Sequence, residues 1–364
     1  MNSYSGFEYL LIDAANHFGL DKTSFEHRIS WGLSHLPHLE AMIVEAEDKP
    51  LFQKACMAIR NAEIGEPIGH IVAMDAVCSG IQIASALTAC ESGAAATGCI
   101  DPHEPSDAYG EVTREMNLEL ASQGMCGVTF PRKQVKKAVM THIYGSKKVP
   151  ESLFGKESDE LAAFYKACFN VAPGATELLE ELMATWKPYA PIHKWTLPDG
   201  FEAKVKVMQT VTKEGIEVDE LNHASFTYEY RVNEGKETGL SNPANVIHSV
   251  DAFVLRTLLR RCSYEPTAIK EASALIATEL LSRGASNPDG LRYKAMNHPK
   301  VLRGISSYAE TKMVDTSVLE HMLAEPSTIV AFTTEHLRKL NVILNKMLDR
   351  EPCDVVTIHD SFGT

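Results

Sequence analysis

The sequence lacks the long apolar runs of membrane proteins and the cysteine spacing of zinc sites. No stretch reaches the roughly 18 consecutive apolar residues that a membrane span needs. Eight cysteines are present, but they form no C-x-x-C pair and no Cys/His zinc spacing. We therefore predict reduced thiols in a cytosolic protein. The N-terminal segment has neither a basic region nor a long apolar core, so no signal peptide is expected.

Positive charge is also scarce. The 364 residues include 35 lysines and arginines against 48 acidic residues, which gives a net charge of −13. This balance excludes a uniformly basic coat for nucleic acid, but it allows one local basic channel, because steering depends on where the charge lies. The length and a hydrophobic content of 45% are enough for two or three domains.

The basic residues that are present concentrate in one stretch, residues 132–148, which holds six lysines and arginines and no acidic residue. A helix is predicted over 132–144, and Gly145 is expected to end it. Residues four apart share one broad helix face. That face would carry Arg132, Lys136, Met140 and Tyr144. Cations and a ring in a row suit a nucleoside triphosphate. The alternative is a solvated basic face with one core tyrosine.

Two aspartates are predicted at the tips of apolar strands. Asp75 follows "HIVAM", and Asp360 lies in a predicted hairpin turn within "DVVTIHDSFG". Carboxylates at such positions are costly unless they are solvated or bound to cations. If the strands are neighbours, the two carboxylates can share two Mg²⁺ ions, which prefer hard oxygen ligands. The alternative is that both are ordinary turn residues.

The rest of the chain is predicted to be mostly helical, with strands concentrated in one region. A Gly/Ala-rich link at 91–98 is expected to mark a domain seam. A helix is expected to begin at Ser106 or Asp107. Strands are expected within 174–240. Further helices are predicted from apolar periodicity at 5–60, 246–262, 267–284 and 315–350.

Three motifs carry a resemblance to a known family. "DAVCSGIQ", "RKQVKKAVMTHIYG" and "HDSFG" resemble motifs A, B and C of the bacteriophage-type single-subunit DNA-dependent RNA polymerases, in the family's order. Weaker matches are "SDAYGEV", "WTLPDGF" and "NVIHSVDAFVLR". The resemblance covers about residues 6–256 and 354–364. Residues 263–350 look like a helical insertion before motif C.

The resemblance implies an α+β fold, with the palm and fingers of a right-hand polymerase. The chain would be mostly helical around a small antiparallel palm sheet, and the N-terminal domain and thumb would be absent from it. Residues 1–103 would form the first palm part, 104–247 the fingers, and 248–364 the second palm part, with the insertion at about 263–350.

The resemblance also implies a two-metal site. Asp75 and Asp360 would bind two Mg²⁺ ions, together with the backbone carbonyl of Ala76, where the family often has glycine. Arg132 and Lys136 would hold the triphosphate, with Lys136 a candidate acid toward the pyrophosphate.

Further positions would surround the incoming nucleotide. Tyr144 would sense the 2′-OH of its sugar, and Met140 would lie on the same helix face. His248 would contact the growing end near that sugar, and His359 would lie near the primer terminus. Related DNA polymerases usually have a glutamate at the position of Gly80, where it blocks a 2′-OH. Gly80 therefore favours ribonucleotides, as does Ser361 in place of a glutamate after Asp360.

The expected reaction is template-directed transfer of nucleotides from NTPs to RNA on a DNA template. No Asp-x-x-Gly-Arg motif of the early palm is found, and the chain ends just after motif C. We therefore expect a split polymerase of a bacteriophage, active in the cytoplasm of the infected host. A second subunit would supply the N-terminal domain, thumb and early palm, and a promoter-recognition factor would be a further partner.

Other interpretations stay open. The chain could be a fragment or a processed product of a longer polymerase. It could also be a relative that synthesises DNA or primers. A third alternative is a non-catalytic subunit that binds nucleic acid or assists assembly.

Overall fold

The computed structural model describes residues 4–101, 105–235, 239–284, 298–358 and 361–364, with backbone only for 208–214 and 230–235. The described chain is mostly helical with small antiparallel sheets, as predicted. It divides into two compact units. The first comprises residues 1–136, 162–174 and 355–364, and the second comprises 137–161 and 175–354. The assignment of palm and fingers to particular residue ranges stays a prediction.

The helices follow one another through most of the chain. They are α1 Gly6–Ala15, α2 Phe25–His35, α3 Lys49–Glu63, α4 Ser79–Thr88, α5 Glu91–Ala96, α6 Ala108–Ser122, α7 Arg132–His142, α8 Lys148–Phe154, α9 Asp159–Val171, α10 Pro173–Ala184, α11 Asn242–Cys262, α12 Pro266–Arg283, α13 Pro299–Thr311, α14 Val318–Ala324 and α15 Thr334–Leu348. Short helical segments lie at Asn16–Leu20, Leu36–Met42, Asp219–Leu221 and Pro326–Ala331.

The strands form three separate antiparallel sheets. They are β1 Ala73–Asp75, β2 Ile192–Thr196, β3 Glu202–Lys206, β4 Met208–Val218, β5 Ala224–Gly235, β6 Val356–Ile358 and β7 Ser361–Gly363. One sheet has the order β1-β7-β6, and the other two are the hairpins β2-β3 and β4-β5. The strands predicted within 174–240 are therefore confirmed.

The first unit is built on the packing of α1, α2 and α3. Helix α1 begins with a capping box, because Ser5 and Glu8 exchange hydrogen bonds between side chain and backbone. Apolar side chains at helical spacing then fill the core, and Leu11, Phe52 and Ile59 are fully buried. This burial is the main stabilising contribution of the segment.

The second unit has its own helical core, formed by α12 to α15. Ile276, Met322 and Leu337 are fully buried there. The helical character predicted for 263–350 is confirmed in the described part of that range. The helices predicted within 315–350 are α14 and α15, and a short 3-10 segment at Pro326–Ala331 separates them.

The expected seam at 91–98 was wrong, because Glu91–Ala96 is helix α5. Its run of alanines has a high helix propensity that outweighs the breaking effect of Gly93. None of the eight cysteines forms a disulfide in the structure. Within the described residues, no helix is both long enough and apolar enough to cross a membrane.

Candidate active site

Asp75 lies at the C-terminal end of β1 and is exposed. It was expected just past the strand but is the strand's last residue. Its pairing partner across the sheet is Ser361, the first residue of β7. The hydroxyl of Ser361 donates a hydrogen bond to the carbonyl oxygen of Met74, 3.2 Å away. Ser361, the residue after Asp360, is thus held beside the strand that ends at Asp75.

Strands β6 and β7 pair antiparallel, with Ile358 opposite Ser361. This pairing agrees with the predicted hairpin. His359 and Asp360, which come between these residues in sequence, lie outside the described residues. Their predicted roles therefore stay predictions.

Gly363 explains how β7 approaches β1 so closely. A Cβ atom at this position would lie 2.6 Å from Cγ2 of Ile71 and 2.9 Å from the carbonyl oxygen of Val72. Both distances are too short for any side chain. The glycine of "HDSFG" is thus needed for the contact between the motif A and motif C strands.

Hard oxygen donors lie at the end of β1. The exposed carboxylate of Asp75 and the backbone carbonyl of the next residue, Ala76, are the type of ligand that Mg²⁺ prefers. Elsewhere in the described chain, three metal-ligating side chains come within 4.8 Å of one another at Glu217, Asp219 and His223, on the β4-β5 hairpin. All three are exposed. No motif of the polymerase family includes them.

Arg132, the first residue of α7, is bound to Asp107 in two places. Its Nε and Nη2 donate to the two carboxylate oxygens at 2.7 and 2.6 Å. This fork-to-fork geometry lowers the pKa of the Asp107 carboxyl below its usual range, chiefly through the hydrogen bonds from Arg132. Arg132 is therefore positioned by a carboxylate that belongs to the weakly matching stretch "SDAYGEV".

Arg132 and Lys136 also share the ring of Tyr109, on the first turn of α6. The guanidinium carbon lies 5.7 Å from the ring centroid, and the ammonium nitrogen lies 5.1 Å from it. Both distances are within the range of cation–π attraction. The two cations predicted to hold a triphosphate are thus brought together over one aromatic ring.

Gly110 leaves room for the Asp107 carboxylate. A Cβ atom at Gly110 would lie 2.5 Å from Oδ2 of Asp107. Asp107 is the N-cap residue of α6. It is one of the two positions, Ser106 and Asp107, that were predicted for the start of this helix. The same residue thus starts α6 and anchors α7.

Tyr144 stacks on His248 in the second unit. The ring centroids are 4.7 Å apart, and the planes differ by 8°. The next residue along α11, Ser249, accepts a hydrogen bond from the indole Nε1 of Trp195 at 2.9 Å. These contacts join the end of motif B to two of the weaker motif matches, "WTLPDGF" and "NVIHSVDAFVLR".

Helix α7 ends at His142, two residues before the predicted end, so Tyr144 lies in the turn beyond the helix. The prediction that Tyr144 shares the helix face of Arg132 was therefore wrong at that position. Gly145 has φ +91°, and a Cβ atom there would lie 2.6 Å from the carbonyl oxygen of Leu240. Gly145 thus has the left-handed backbone expected of a glycine after a helix, but α7 already ends three residues before it.

The remaining predicted positions lie on helices. Gly80 is buried in the first turn of α4. Met140 lies on α7 and is 48% exposed. Among the described residues, no contact assigns Gly80 or Met140 a role.

Reasoning from the sequence missed Asp107 and Tyr109 as parts of the site. Their only signal was the weak motif match "SDAYGEV". Asp107 and Arg132 are 25 residues apart, so no local spacing rule connects them.

Comparison with known proteins finds similarity over the part of the chain that contains motifs A and B. Residues 2–157 match the family model described as DNA-dependent RNA polymerase. The match covers 156 of the 364 residues, so this segment is similar to that family. It contains motifs A and B, with Asp75, Arg132, Lys136 and Tyr144.

Individual relatives are similar over parts of the chain. A DNA-directed RNA polymerase 2B of Nicotiana tabacum, chloroplastic/mitochondrial, is 27% identical over 308 residues, which are 68% of this chain and 29% of the relative. A probable DNA-directed RNA polymerase of Neurospora crassa is 30% identical over 158 residues, covering 39% of this chain and 18% of the relative. The mitochondrial polymerase of the same fungus is 26% identical over 165 residues, or 12% of its length. The chain thus spans less than a third of the polymerases it matches.

Proposed function

We propose that this chain is the catalytic subunit of a split DNA-directed RNA polymerase, with the palm and fingers of a right-hand fold. It would transfer nucleotides from NTPs to the 3′ end of an RNA on a DNA template. The observation that carries the proposal is the pairing of Asp75 with Ser361. Because Asp360 precedes Ser361 in the sequence, this register brings the motif A and motif C strands together.

The donor set at the end of β1 suits a divalent cation. Asp75, Ala76 through its carbonyl, and Asp360 would hold two Mg²⁺ ions, since hard oxygen ligands and substrate phosphates are what Mg²⁺ takes up. When bound there, the metal supplies charge stabilisation for the attacking hydroxyl and the leaving pyrophosphate.

Arg132 and Lys136 would neutralise the triphosphate. The exposed fractions of the Arg132 and Asp107 side chains are 38% and 36%, so an incoming phosphate can compete with the carboxylate for the guanidinium. Tyr109 would keep both cations in place while the phosphates arrive, because the cation–π contacts do not occupy their N–H donors. Lys136 would also donate a proton to the pyrophosphate.

Tyr144 and His248 would meet the sugar of the incoming nucleotide. The stacking restricts the rotation of both rings. The polar groups of Tyr144 and His248 are therefore held in place before the nucleotide binds. Gly80 has no side chain that could block a 2′-OH, and this favours ribonucleotides. Met140 would line the same nucleotide path, and His359 would lie near the primer terminus.

A second polypeptide would complete the enzyme. It would supply the N-terminal domain, thumb and early palm, and a further factor would select promoters. The resemblance to phage polymerases favours a bacteriophage protein working in the cytoplasm of an infected bacterium.

The proposal is tested by purifying the chain from its native source and identifying what accompanies it in stoichiometric amount. The chain and that partner together should incorporate NTPs on a DNA template. Asp75→Asn and Asp360→Asn should each reduce incorporation at least about a hundredfold, because a metal-binding carboxylate is lost. DNA binding, measured by fluorescence anisotropy, should remain near the wild-type value.

Asp349→Asn is the matched control, since Asp349 is an exposed aspartate outside the motifs. It should leave incorporation unchanged. Equal activity of all three variants would refute the assignment of Asp75 and Asp360. A strong preference for dNTPs over NTPs would instead favour a DNA polymerase or primase-like relative, and DNA binding without any synthesis would favour an assembly subunit.

A further inference from the structure

A cationic cavity of about 290 Å³ lies within the second unit. It is bounded by the β2-β3 turn, α11 and the N-terminal ends of α13 and α14. Two hydrogen bonds fasten the turn to the helices. Ser307 donates to the carbonyl oxygen of Pro198 at 3.0 Å, and Ser317 donates to that of Asp199 at 3.4 Å. The walls of the cavity are thus tied together.

Positive charge exceeds negative charge in this cavity. Four cationic side chains line it, Arg256, Arg260, Lys300 and Arg303, and one carboxylate, Asp199. Asp199 accepts from Nε of Arg256 at 2.7 Å and lies 3.6 Å from Nη2 of Arg260. The excess charge must be met by solvent or by an anionic ligand.

A second carboxylate, Asp315, bonds Nη2 of Arg260 at 3.0 Å. Even with Asp315 counted, four cations face two acids. Within the described part of the chain, Lys300 and Arg303 form no ion pair, and both are exposed. These two cations are therefore available to a ligand.

The arginine network itself leaves donors unused. Nη2 of Arg256 and Nε of Arg260 are buried and have no hydrogen-bond acceptor among the described residues. A buried N–H without an acceptor is costly, and native proteins rarely keep one without a reason. An anion that draws the two guanidinium groups toward it would supply the missing acceptors.

An aromatic ring stands at the same cavity. Phe201 is 52% exposed, and the guanidinium carbon of Arg256 lies 4.7 Å from its ring centroid. An exposed ring beside a group of cations matches the two halves of a nucleotide, because the phosphate meets the cations and the sugar or base meets the ring.

The pKa of His321 reflects its burial and the charged groups around it. Its pKa lies below its usual value, first because the ring is partly buried and then because Lys300 is near, with His298 and Arg303 adding to the effect and Glu320 opposing it. A neutral imidazole adds no repulsion for cations and leaves a donor for an anion.

We propose that this cavity is a binding site for a phosphate group that carries a sugar or base, held by Lys300 and Arg303 and flanked by Phe201. Lys300, Arg303 and His321 belong to 263–350, which the polymerase motifs do not cover. The site therefore gives this helical region a function that does not depend on Asp75 or Asp360.

The test compares two double variants of the full chain. Lys300→Gln/Arg303→Gln removes two charges from the cavity, and Lys270→Gln/Arg338→Gln removes two exposed charges from α12 and α15 that do not line it. Binding of a fluorescein-labelled ten-nucleotide oligothymidylate and of AMP is measured over a range of salt concentrations. All of these positions are exposed, so folding should be preserved, which circular dichroism checks.

If the phosphate belongs to a nucleic-acid strand, the cavity variant should bind the oligonucleotide at least tenfold more weakly, and the slope of log K against log salt should fall by one to two. If it belongs to a free nucleotide, only AMP binding should fall. The control variant should stay within twofold of the wild type. Equal affinities of the cavity and control variants for both probes would overturn the proposal.

A second readout locates the ligand. Phe201→Ala should weaken AMP binding several-fold and leave the binding of inorganic phosphate unchanged, because phosphate has no group for the ring. In NMR spectra of the wild type, phosphate should move the ring signals of His321 and raise its pKa. A His321 signal that does not respond to saturating phosphate would also contradict the assignment.

Discussion

The two compact units neutralise their arginines in different ways. In the first unit, Arg132 and Asp107 form a one-to-one pair at the protein surface, with more than a third of each side chain exposed. In the second unit, Asp199 lies between Arg256 and Arg260 with only 4% of its side chain exposed. The same residue types thus form an exposed pair in one place and a network around buried carboxylates in the other.

The histidines differ in the same way. Asp13, which is buried, contacts Nε2 of His70 at 2.7 Å and Nε2 of His17 at 3.4 Å in the first unit. In the second unit, His336 is buried between Tyr308 and Phe332, and neither ring nitrogen has a hydrogen-bond partner in the part of the chain that the structure describes. The buried Asp13 carboxylate thus has two imidazole partners in the first unit, whereas the His336 ring of the second unit packs against aromatic rings. The second unit should therefore be the more sensitive to acid and to the loss of a single carboxylate.

The largest effect is expected for Asp199→Ala. Removing the carboxylate leaves two partly buried guanidinium groups facing each other, and breaking a buried pair costs about 3–5 kcal/mol. Urea denaturation, followed by tryptophan emission in a Trp31→Phe background, measures the second unit alone, because Trp186 and Trp195 both lie there.

Asp219→Ala is the control for this experiment, since the Asp219 side chain is 83% exposed. It should change the free energy of unfolding by less than about 0.5 kcal/mol. If Asp199→Ala costs no more than the control, the buried network does not stabilise the second unit.

The next effect concerns pH. Burial lowers the pKa of His336 to about 4, with a smaller contribution from Lys339. The His336 imidazole therefore takes up a proton near pH 6.5 in the unfolded chain, but only near pH 4 in the folded chain. The free energy of unfolding therefore has its full value above pH 6.5. It falls by roughly 3 kcal/mol as the pH decreases to 4.

His336→Phe should remove this loss, because phenylalanine fits the aromatic surroundings and does not titrate. His142, whose pKa burial also lowers to about 4, still titrates, so about half of the pH dependence should remain. Unfolding of the Trp31→Phe background at pH 7 and pH 5 measures the difference. His38→Phe, at an exposed position, should leave the full pH dependence. An unchanged slope in His336→Phe would show that His336 is not the responsible group.

The smallest effect is expected for Asp107→Ala. An exposed pair contributes about 0.5 kcal/mol to stability, so hydrogen exchange of peptides covering 107–136 should change little. Under the proposed function, Arg132 no longer has a competing carboxylate, and KM for NTP should fall about twofold to threefold, with kcat unchanged. Arg132→Gln should raise KM instead. A large loss of stability in Asp107→Ala would mean that the two units do not differ as described.

Much of the fold was predictable from local patterns. The periodic apolar residues of 5–60 and 267–284 predicted helices that the structure contains, and Gly145 predicted the end of α7 to within two residues. Predictions failed where the same residue type occurs in two kinds of local structure. The alanines at 94–96 extend a helix as readily as they form a link.

The candidate site was predictable only in its residue types. The motifs predicted Asp75, Arg132 and Tyr144, but the carboxylate that binds Arg132 and the ring that stacks on Tyr144 were not assigned these contacts. Asp107 is 25 residues from Arg132, and His248 is more than 100 residues from Tyr144. Such contacts depend on how helices pack, and no spacing rule describes them.

The sequence by itself determined the helices, the order of the three polymerase motifs and the glycine positions, because these depend on periodicity and on backbone conformation within a few residues. The tertiary structure alone decided which acids neutralise which arginines, and that a cationic cavity forms between a β-turn and three helices. The reason is that charge balance is set by distance in space. Asp199 and Lys300 are far apart in the chain and line the same cavity.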